Sequence, residues 1–433
     1  MANMKTNIIS AELTRIIDKS EVEKLTLEMK VVQRSRKIKI TQFIWALVFS
    51  SLGQEKRSIS QLTQTYFELT KCKLSRSSVY NRLNKPLAKL LKKICLSLMA
   101  QEVSSSNDLP TFKTCLIMDS VQLRLRNKLK KKYPGNRKNH SPASMKIHYL
   151  YDLTNGSIKK VRKTSGKTAD VNMLKRLGPW IKDSLLLIDL GYFSYSLFDR
   201  IQRNQGYFIS RLKSNGNPKI LAVNHCDKSN QKKWLKGKKL KEVLPLLKGE
   251  FLDVEIEVKF KRQRYMGFRS SATQVFRLIA IYNHETSGYH CYITNTSTEQ
   301  LGHEQVSAMY ALRWQVEICF KGLRQYHSLD QLPSQKEEVV LCLVWASILS
   351  NIVSGRFYEK IKPLVPKDRT VPLLRWMKQF AVKSHELLLI MAAPKNAAHF
   401  LSKHLLKSWL NFTPDPNINR NRSVTTELSM LFS

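Results

Sequence analysis

The hydrophobic positions change period twice along the chain, from helical to alternating and back to helical. Through the first hundred or so residues they recur at three- and four-residue intervals. Residues 41–53, TQFIWALVFSSLG, read as an apolar helix closed by a glycine. Ile59, Leu62, Tyr66 and Leu69 mark another helix; after a polar break, a second opens near Ser75. From residue 114 the pattern shortens. TCLIM reads as an apolar strand ending at Asp119, VQLRLRN as a further extended stretch, and residues 128–144 as a basic, exposed loop. MKIHYLYDLTNGSIKKVRKTSG is a hairpin pattern on an Asn155-Gly156 turn. TADVNMLKRL reads as a helix capped by Thr168 or Asp170. SLLLIDLGYFS is apolar enough for a central strand and ends at Asp189. A helix (SYSLFDRIQRNQ) and a strand (GYFISRLK) follow.

That order predicts a mixed α/β sheet. Between residues 212 and 300 the alternating stretches EFLDVEIEVKFKRQRYMGF and QVFRLIAIYNHETSGYHCYITN predict a β-rich insertion, entered by a flexible linker over 215–230. A helix then covers 310–329. From 341 onward the chain is helical again, broken near Pro363, Pro366 and Pro372, with a frayed tail after Pro414. Its most apolar run, 339–353, is fifteen residues long and holds Ser347, Ser350 and Asn351, which suits a buried helix better than a membrane span.

Charge changes the picture most. Seventy-three Lys and Arg against thirty-three Asp and Glu give +40 over 433 residues, spread along the chain rather than held in a tail. Self-repulsion on this scale points to a polyanionic partner, nucleic acid before an anionic membrane, since no long basic amphipathic helix dominates. Seven scattered cysteines without a CxxC pair argue against a zinc ribbon or a disulfide framework and for a reducing compartment. The first twenty residues carry charges throughout and do not read as a secretory signal. The expected location is therefore the cytoplasm, with no membrane partner. The helix opening near Ser75 carries Arg76, Ser78 and Arg82; with the helix before it, it fits a helix-turn-helix aimed at a major groove, or a plain helical hairpin.

YALRWQVEICFKGLRQYHSL, residues 310–329, carries the candidate chemistry. At 100° per residue Tyr310, Arg313, Trp314, Glu317, Lys321 and Arg324 share one face, while Leu312, Val316, Cys319 and Leu323 already complete the opposite, apolar face. A surface helix laced by pairs such as Glu317–Lys321 would look similar. Asp119 and Asp189, each ending an apolar strand, are potential partners for Glu317, because hard divalent cations take carboxylate oxygens and phosphoryl transfer uses pairs of them. Strand-end aspartates also serve as ordinary turn residues, and Asp152 and Asp170 are rivals with ready structural roles.

These motifs together resemble the DDE transposases of the large bacterial insertion-sequence group of the IS-four type, marked by a Tyr-Arg-Glu-Lys signature. The signature is met by Tyr310, Arg313 and Glu317, with Arg324 where the family has Lys and Lys321 nearby to share its role. IMDSVQLRL, LLLIDLGYFSYSLF, YFISRLK and YITN match as well, so the resemblance covers roughly residues 110–330. It implies an α/β, ribonuclease H-like mixed-sheet core with a β-rich insertion, flanked by helical N- and C-terminal regions. The expected divisions are 1–109 (helical, DNA-binding), 110–212 (first part of the core), 213–296 (basic insertion), 297–330 (signature helix) and 331–433 (helical). It further implies that Asp119, Asp189 and Glu317 are catalytic and bind two Mg2+ ions, with Mn2+ able to substitute. Tyr310, Arg313 and the Lys position are expected to hold double-stranded DNA at the terminal inverted repeats. Tyr292 or Tyr289 would supply an exposed ring for a flipped base, and Trp314 would pack behind the site. A two-ended reaction implies a homodimer on DNA. A non-catalytic helix-turn-helix regulator, or a nuclease of the same fold that never joins ends, are the alternative functions.

Overall fold

The computed structural model describes residues 8–31, 38–53, 56–101, 111–136, 142–154, 156–227, 232–247, 249–262, 267–366, 368–416 and 431. The expected turn residue Asn155, part of the 215–230 linker and most of the tail after Pro414 lie outside them. Among the described residues nine strands form one sheet in the order β3-β2-β1-β4-β5-β9-β8-β7-β6. The strands are β1 Thr114–Arg124, β2 Ser144–Asp152, β3 Ser157–Ser165, β4 Ser184–Ile188, β5 Tyr207–Arg211, β6 Lys219–Cys226, β7 Phe251–Lys261, β8 Ser271–Asn283 and β9 Gly288–Thr294. Strands β1 to β3 are antiparallel neighbours, while β4 pairs parallel with both β1 and β5. This is the expected ribonuclease H-like arrangement. Full burial of β4, Ser184–Ile188, explains its continuous apolar sequence.

Two sequence readings change. TCLIM and VQLRLRN are one eleven-residue strand, so Asp119 lies in mid-strand rather than at its end. The antiparallel partner β2 pairs with β1 as far as Arg124, past the point where β4 stops. The stretch after Thr168 forms only a 3-10 turn, Asp170–Leu174, because the Asp170 side chain is drawn to Lys146 and Ser120 instead of capping a helix. The strands of the 213–296 segment do not form a separate sheet. β9 hydrogen-bonds β5 in antiparallel register, and β8, β7 and β6 extend the same sheet outward.

Alternation along the strands sorts the apolar side chains into two layers. Ile117, Val121, Leu185, Leu187 and Ile209 face a helical layer; Leu116, Met118, Leu186, Ile188 and Phe208 face the other side. The helical layer joins both ends of the chain: α1 Ile8–Ile16, α2 Lys19–Glu28, α3 Ile40–Phe49, α4 Ile59–Thr70, α5 Arg76–Arg82 and α6 Lys85–Ala100 meet the later helices in one core. On the opposite face lies α7, Tyr195–Arg203, where Phe198 stacks on Phe208 of β5 with centroids 4.2 Å apart. Short helices α8 Lys232–Leu235 and α9 Leu240–Val243 follow. Then come α10 His303–Ala311, α11 Gln315–Tyr326, α12 Glu337–Ile361, α13 Leu373–Val382, α14 Ser384–Ala392 and α15 Lys395–Phe412.

Helix α12 runs longer than its fifteen-residue apolar stretch. It is the one described helix long and apolar enough to cross a membrane, yet 78% of that window is buried in the fold. It packs along α6, with α3 and α1 beside it. Arg57 crosses to it, donating to the Leu343 carbonyl at 3.0 Å. The seven cysteines are free thiols.

Candidate active site

The parallel register places two carboxylates side by side. β1 and β4 pair from Thr114↔Ser184 to Met118↔Ile188; the next residues on the two strands are Asp119 and Asp189. Asp119 alternates with Ile117 and Val121 and so points toward the helical layer. The Ser120 backbone N–H donates to its Oδ1 at 2.7 Å. Asp189 ends β4 and caps the 3-10 turn Leu190–Tyr192, its Oδ2 accepting from Gly191 N–H at 3.0 Å.

The signature segment is not one uninterrupted helix. α10 passes through a 3-10 turn, Leu312–Trp314, into α11. Arg313 sits in that turn and Glu317 in the first turn of α11. Val316, Cys319, Phe320 and Leu323 are buried and fix α11 against the sheet and α13; burying each large apolar side chain contributes roughly 1.5–3 kcal/mol. Gly322 permits the close approach to α13, since a Cβ there would run into the Met377 side chain.

This packing aims Arg313 at all three carboxylates. Its Nη1 lies 3.6 Å from Asp119 Oδ2 and 3.8 Å from Asp189 Oδ1, and its Nη2 donates to Glu317 Oε1 at 2.9 Å. Burial opposes the guanidinium charge, but Asp189, Tyr310, Glu317 and Asp119 together raise its pKa. Burial, reinforced by Asp189 and Glu317, pushes Asp119 up to about 6, against the lowering effect of the Ser120 N–H and Arg313. Three carboxylates with one cation leave the cluster short of positive charge.

The remaining predicted residues divide. Lys321 and Arg324 are exposed on the same helix, and Arg324 Nη2 donates to the Gln122 carbonyl of β1 at 3.2 Å. Trp314 is half exposed (50%) rather than packed behind the site, in keeping with its place on the polar face of the segment. Tyr310 is buried (8%), so its ring backs the site: Arg313 lies over it at 6.0 Å, and Tyr292 packs against it at 5.4 Å. Tyr292 is itself only 7% exposed and lacks the free face that base stacking needs. Tyr289 is half-buried, its hydroxyl donating to the Leu247 and Gly249 carbonyls. Arg76, Ser78 and Arg82 lie on α5, far along the chain from the carboxylates; Ser75 caps this seven-residue helix through Ser78 N–H, and Arg76 is exposed.

A polar network lies behind Asp119, joining Asp170 to Lys146, a residue the sequence pattern did not single out. Asp170 Oδ1 accepts from Lys146 Nζ at 2.9 Å and from Ser120 Oγ at 3.2 Å. Buried His148, held down at about 4 chiefly by burial, shares a 3.1 Å hydrogen bond with the Tyr192 hydroxyl. The available signal was the β2 alternation, which puts Lys146 and His148 on one face opposite Gln122 and Ser120. Asp152 is structural: it accepts from Thr114 Oγ1 and Thr154 N–H and pairs with Lys159.

Three convergent carboxylates suit a hard divalent cation by donor type. Among the described residues no three acidic, His or Cys side chains already form a cage, and Arg313 lies between them instead.

Residues 110–351 match the family model described as the transposase DDE domain. The chain is 26% identical over 395 residues to the transposase for insertion sequence element IS1151 of Clostridium perfringens, covering 84% of this chain and 83% of that one. It is 26% identical over 410 residues to the transposase for element IS231F of Bacillus thuringiensis subsp. israelensis, covering 87% and 85%. The fold is similar to that of the piggyBac transposase in a synaptic complex with hairpin DNA, with a TM-score of 0.52 at 11% identity over 98% of this chain and 88% of that one. The match spans more than half of the chain, which therefore belongs to the DDE transposase family, enzymes of DNA cleavage and strand transfer that depend on a divalent metal.

Proposed function

We propose that Asp119, Asp189 and Glu317 are the catalytic carboxylates, that they hold two Mg2+ ions for which Mn2+ can substitute, and that the enzyme cuts and joins the terminal inverted repeats of an insertion sequence. The observation that carries this is the convergence of all three, from β1, the end of β4 and α11, on the Arg313 guanidinium. When bound, the ions supply activation of the attacking oxygen and stabilisation of the leaving one.

The protein's own groups set the geometry. Ser120 N–H fixes one oxygen of Asp119 and leaves the other turned toward Arg313, and Gly191 N–H does the same for Asp189. Arg313 holds the cluster together in the free protein. With DNA and cations bound, its guanidinium turns to the phosphate beside the scissile bond, a fork suited to two phosphate oxygens. Tyr310 keeps Arg313 from swinging away, and Lys321, Arg324 and Trp314 extend the contact along the strand. Water attacks the phosphodiester at the element's end and the 3′-oxygen leaves as a hydroxyl. That hydroxyl then attacks a target phosphodiester, bonding to phosphorus as the target's own 3′-oxygen departs. Arg76, Ser78 and Arg82 on α5 contact the repeat at a distance from the cut, two copies handle the two ends, and the reaction takes place on the bacterial nucleoid.

The test is incubation of the full chain with its element's end sequences and Mg2+. Nicked or hairpinned ends followed by joined product support the proposal. Cleavage without joining would make it a nuclease, and binding without cleavage a regulator.

A further inference from the structure

We propose that a lysine-lined groove on the insertion side of the sheet binds the backbone of the target duplex, the second DNA of the joining reaction. The proposal rests on the active-site reading above and extends it to where the target lies.

The groove has a volume of about 710 Å³ and is formed by residues 193–196, the 213–219 loop, Lys239 and the end of β7. Lys213, Lys219, Lys239, Lys259 and Lys261 line it and are exposed. The lining has a single acid, half-buried Glu257, 3.9 Å from Lys259. Among the described residues no carboxylate pairs with the other four. A groove this rich in unneutralised cations has its charge complement in a polyanion.

Position selects which DNA. The groove starts four residues after Asp189, across the 3-10 turn Leu190–Tyr192. Its aromatic floor of Phe193, Tyr195 and Phe260 packs on the apolar layer opposite the signature helix. Lys213 Nζ lies over the Phe193 ring at 5.2 Å. The cations of α11 are on the other face of the sheet, so one backbone tracked by Arg313, Lys321 and Arg324 is not the backbone that fills this groove. Strand transfer requires a second duplex at the same carboxylates, and the groove's first residue, Phe193, follows Asp189 by one 3-10 turn along the chain.

Lysines also guard open strand edges against unwanted pairing. β6 covers β7 only as far as Glu257, so that role accounts for Lys259 and Lys261. It extends to Lys219, which opens the edge strand β6 and bridges Lys239, but it does not account for Lys213, which reaches the same space from the loop after β5.

The test uses the full chain with Lys213, Lys219 and Lys261 all replaced by alanine, given end DNA, Mg2+ and a target plasmid. The expected result is end cleavage within about twofold of wild type and joining reduced at least about tenfold. The log–log salt dependence of target capture should also become shallower by up to about three. A second variant carrying only Lys213→Glu should fall in the same direction. Joining that keeps pace with wild type would overturn the proposal. So would a parallel loss of end cleavage, which would assign the groove to the element's own end. Failure of the active-site reading is distinct, since wild type itself would then not cut.

Discussion

Asp119→Asn should stabilise the free protein while abolishing its response to metal. The Asp119 carboxyl is raised from the ordinary 3.8 to about 6, mainly by burial and with the help of Asp189 and Glu317. A shift of about two units corresponds to about 3 kcal/mol of opposition to the charged form at neutral pH. The side chain remains 19% exposed and the native state relaxes around it, so about 1–2 kcal/mol is the realistic gain. Asparagine keeps the oxygen that accepts from Ser120 N–H and removes only the charge. For a chain of this size that gain raises Tm by about 1–2 °C. The assay is calorimetric melting in EDTA and again in excess Mg2+. In EDTA the variant should melt above wild type; in Mg2+ wild type should rise and the variant should not. The sign sets the pH dependence: a carboxyl raised by folding costs stability only where it is ionised. The difference is full above about pH 6 and disappears as pH falls toward 4. A variant that melts at or below wild type in EDTA at neutral pH would refute the electrostatic reasoning.

Other outcomes follow from the same geometry. Arg313→Gln leaves three carboxylates without their shared cation, so melting in EDTA should drop by several degrees and Mg2+ should restore more than it adds to wild type; an unchanged metal response would contradict the neutralising role. With limiting Mg2+, cleavage of end DNA should decline as pH falls through about 6, because protons and metal compete for Asp119, and excess Mg2+ should move that midpoint lower. Arg324→Lys loses the fork that reaches the Gln122 carbonyl but keeps the charge, so stability should change by less than about 1 kcal/mol and cleavage by less than about threefold.

Local pattern made much of this legible. β4 was readable because a strand buried on both faces must be apolar throughout, and the signature face because helical periodicity separates it from Val316, Cys319 and Leu323. Long-range register was not. Nothing local in TCLIMDSVQLR shows that β2 keeps pairing beyond Asp119, or that β9 adds to β5 and makes the insertion part of the same sheet. The 3-10 turn at Leu312–Trp314 was hidden for a similar reason: its sequence suits an α-helix, and only a small change of backbone state separates the two. Burial of Tyr292 against Tyr310 depends on two segments meeting in space, so an alternating strand pattern could not distinguish a packed ring from a free one. Asp170 looked like a helix cap because its partner, Lys146, lies on a strand that closes beside it only in the folded sheet.

The most direct measurement compares Asp119→Asn, Asp189→Asn and Glu317→Gln with wild type in Mg2+-dependent cleavage of end-containing DNA, alongside binding of the same DNA in EDTA. Each variant should bind within a few-fold of wild type and lose cleavage by at least about a thousandfold. Retention of metal-dependent cleavage by any one of the three would contradict the assignment of that carboxylate, and retention by all three would remove the site.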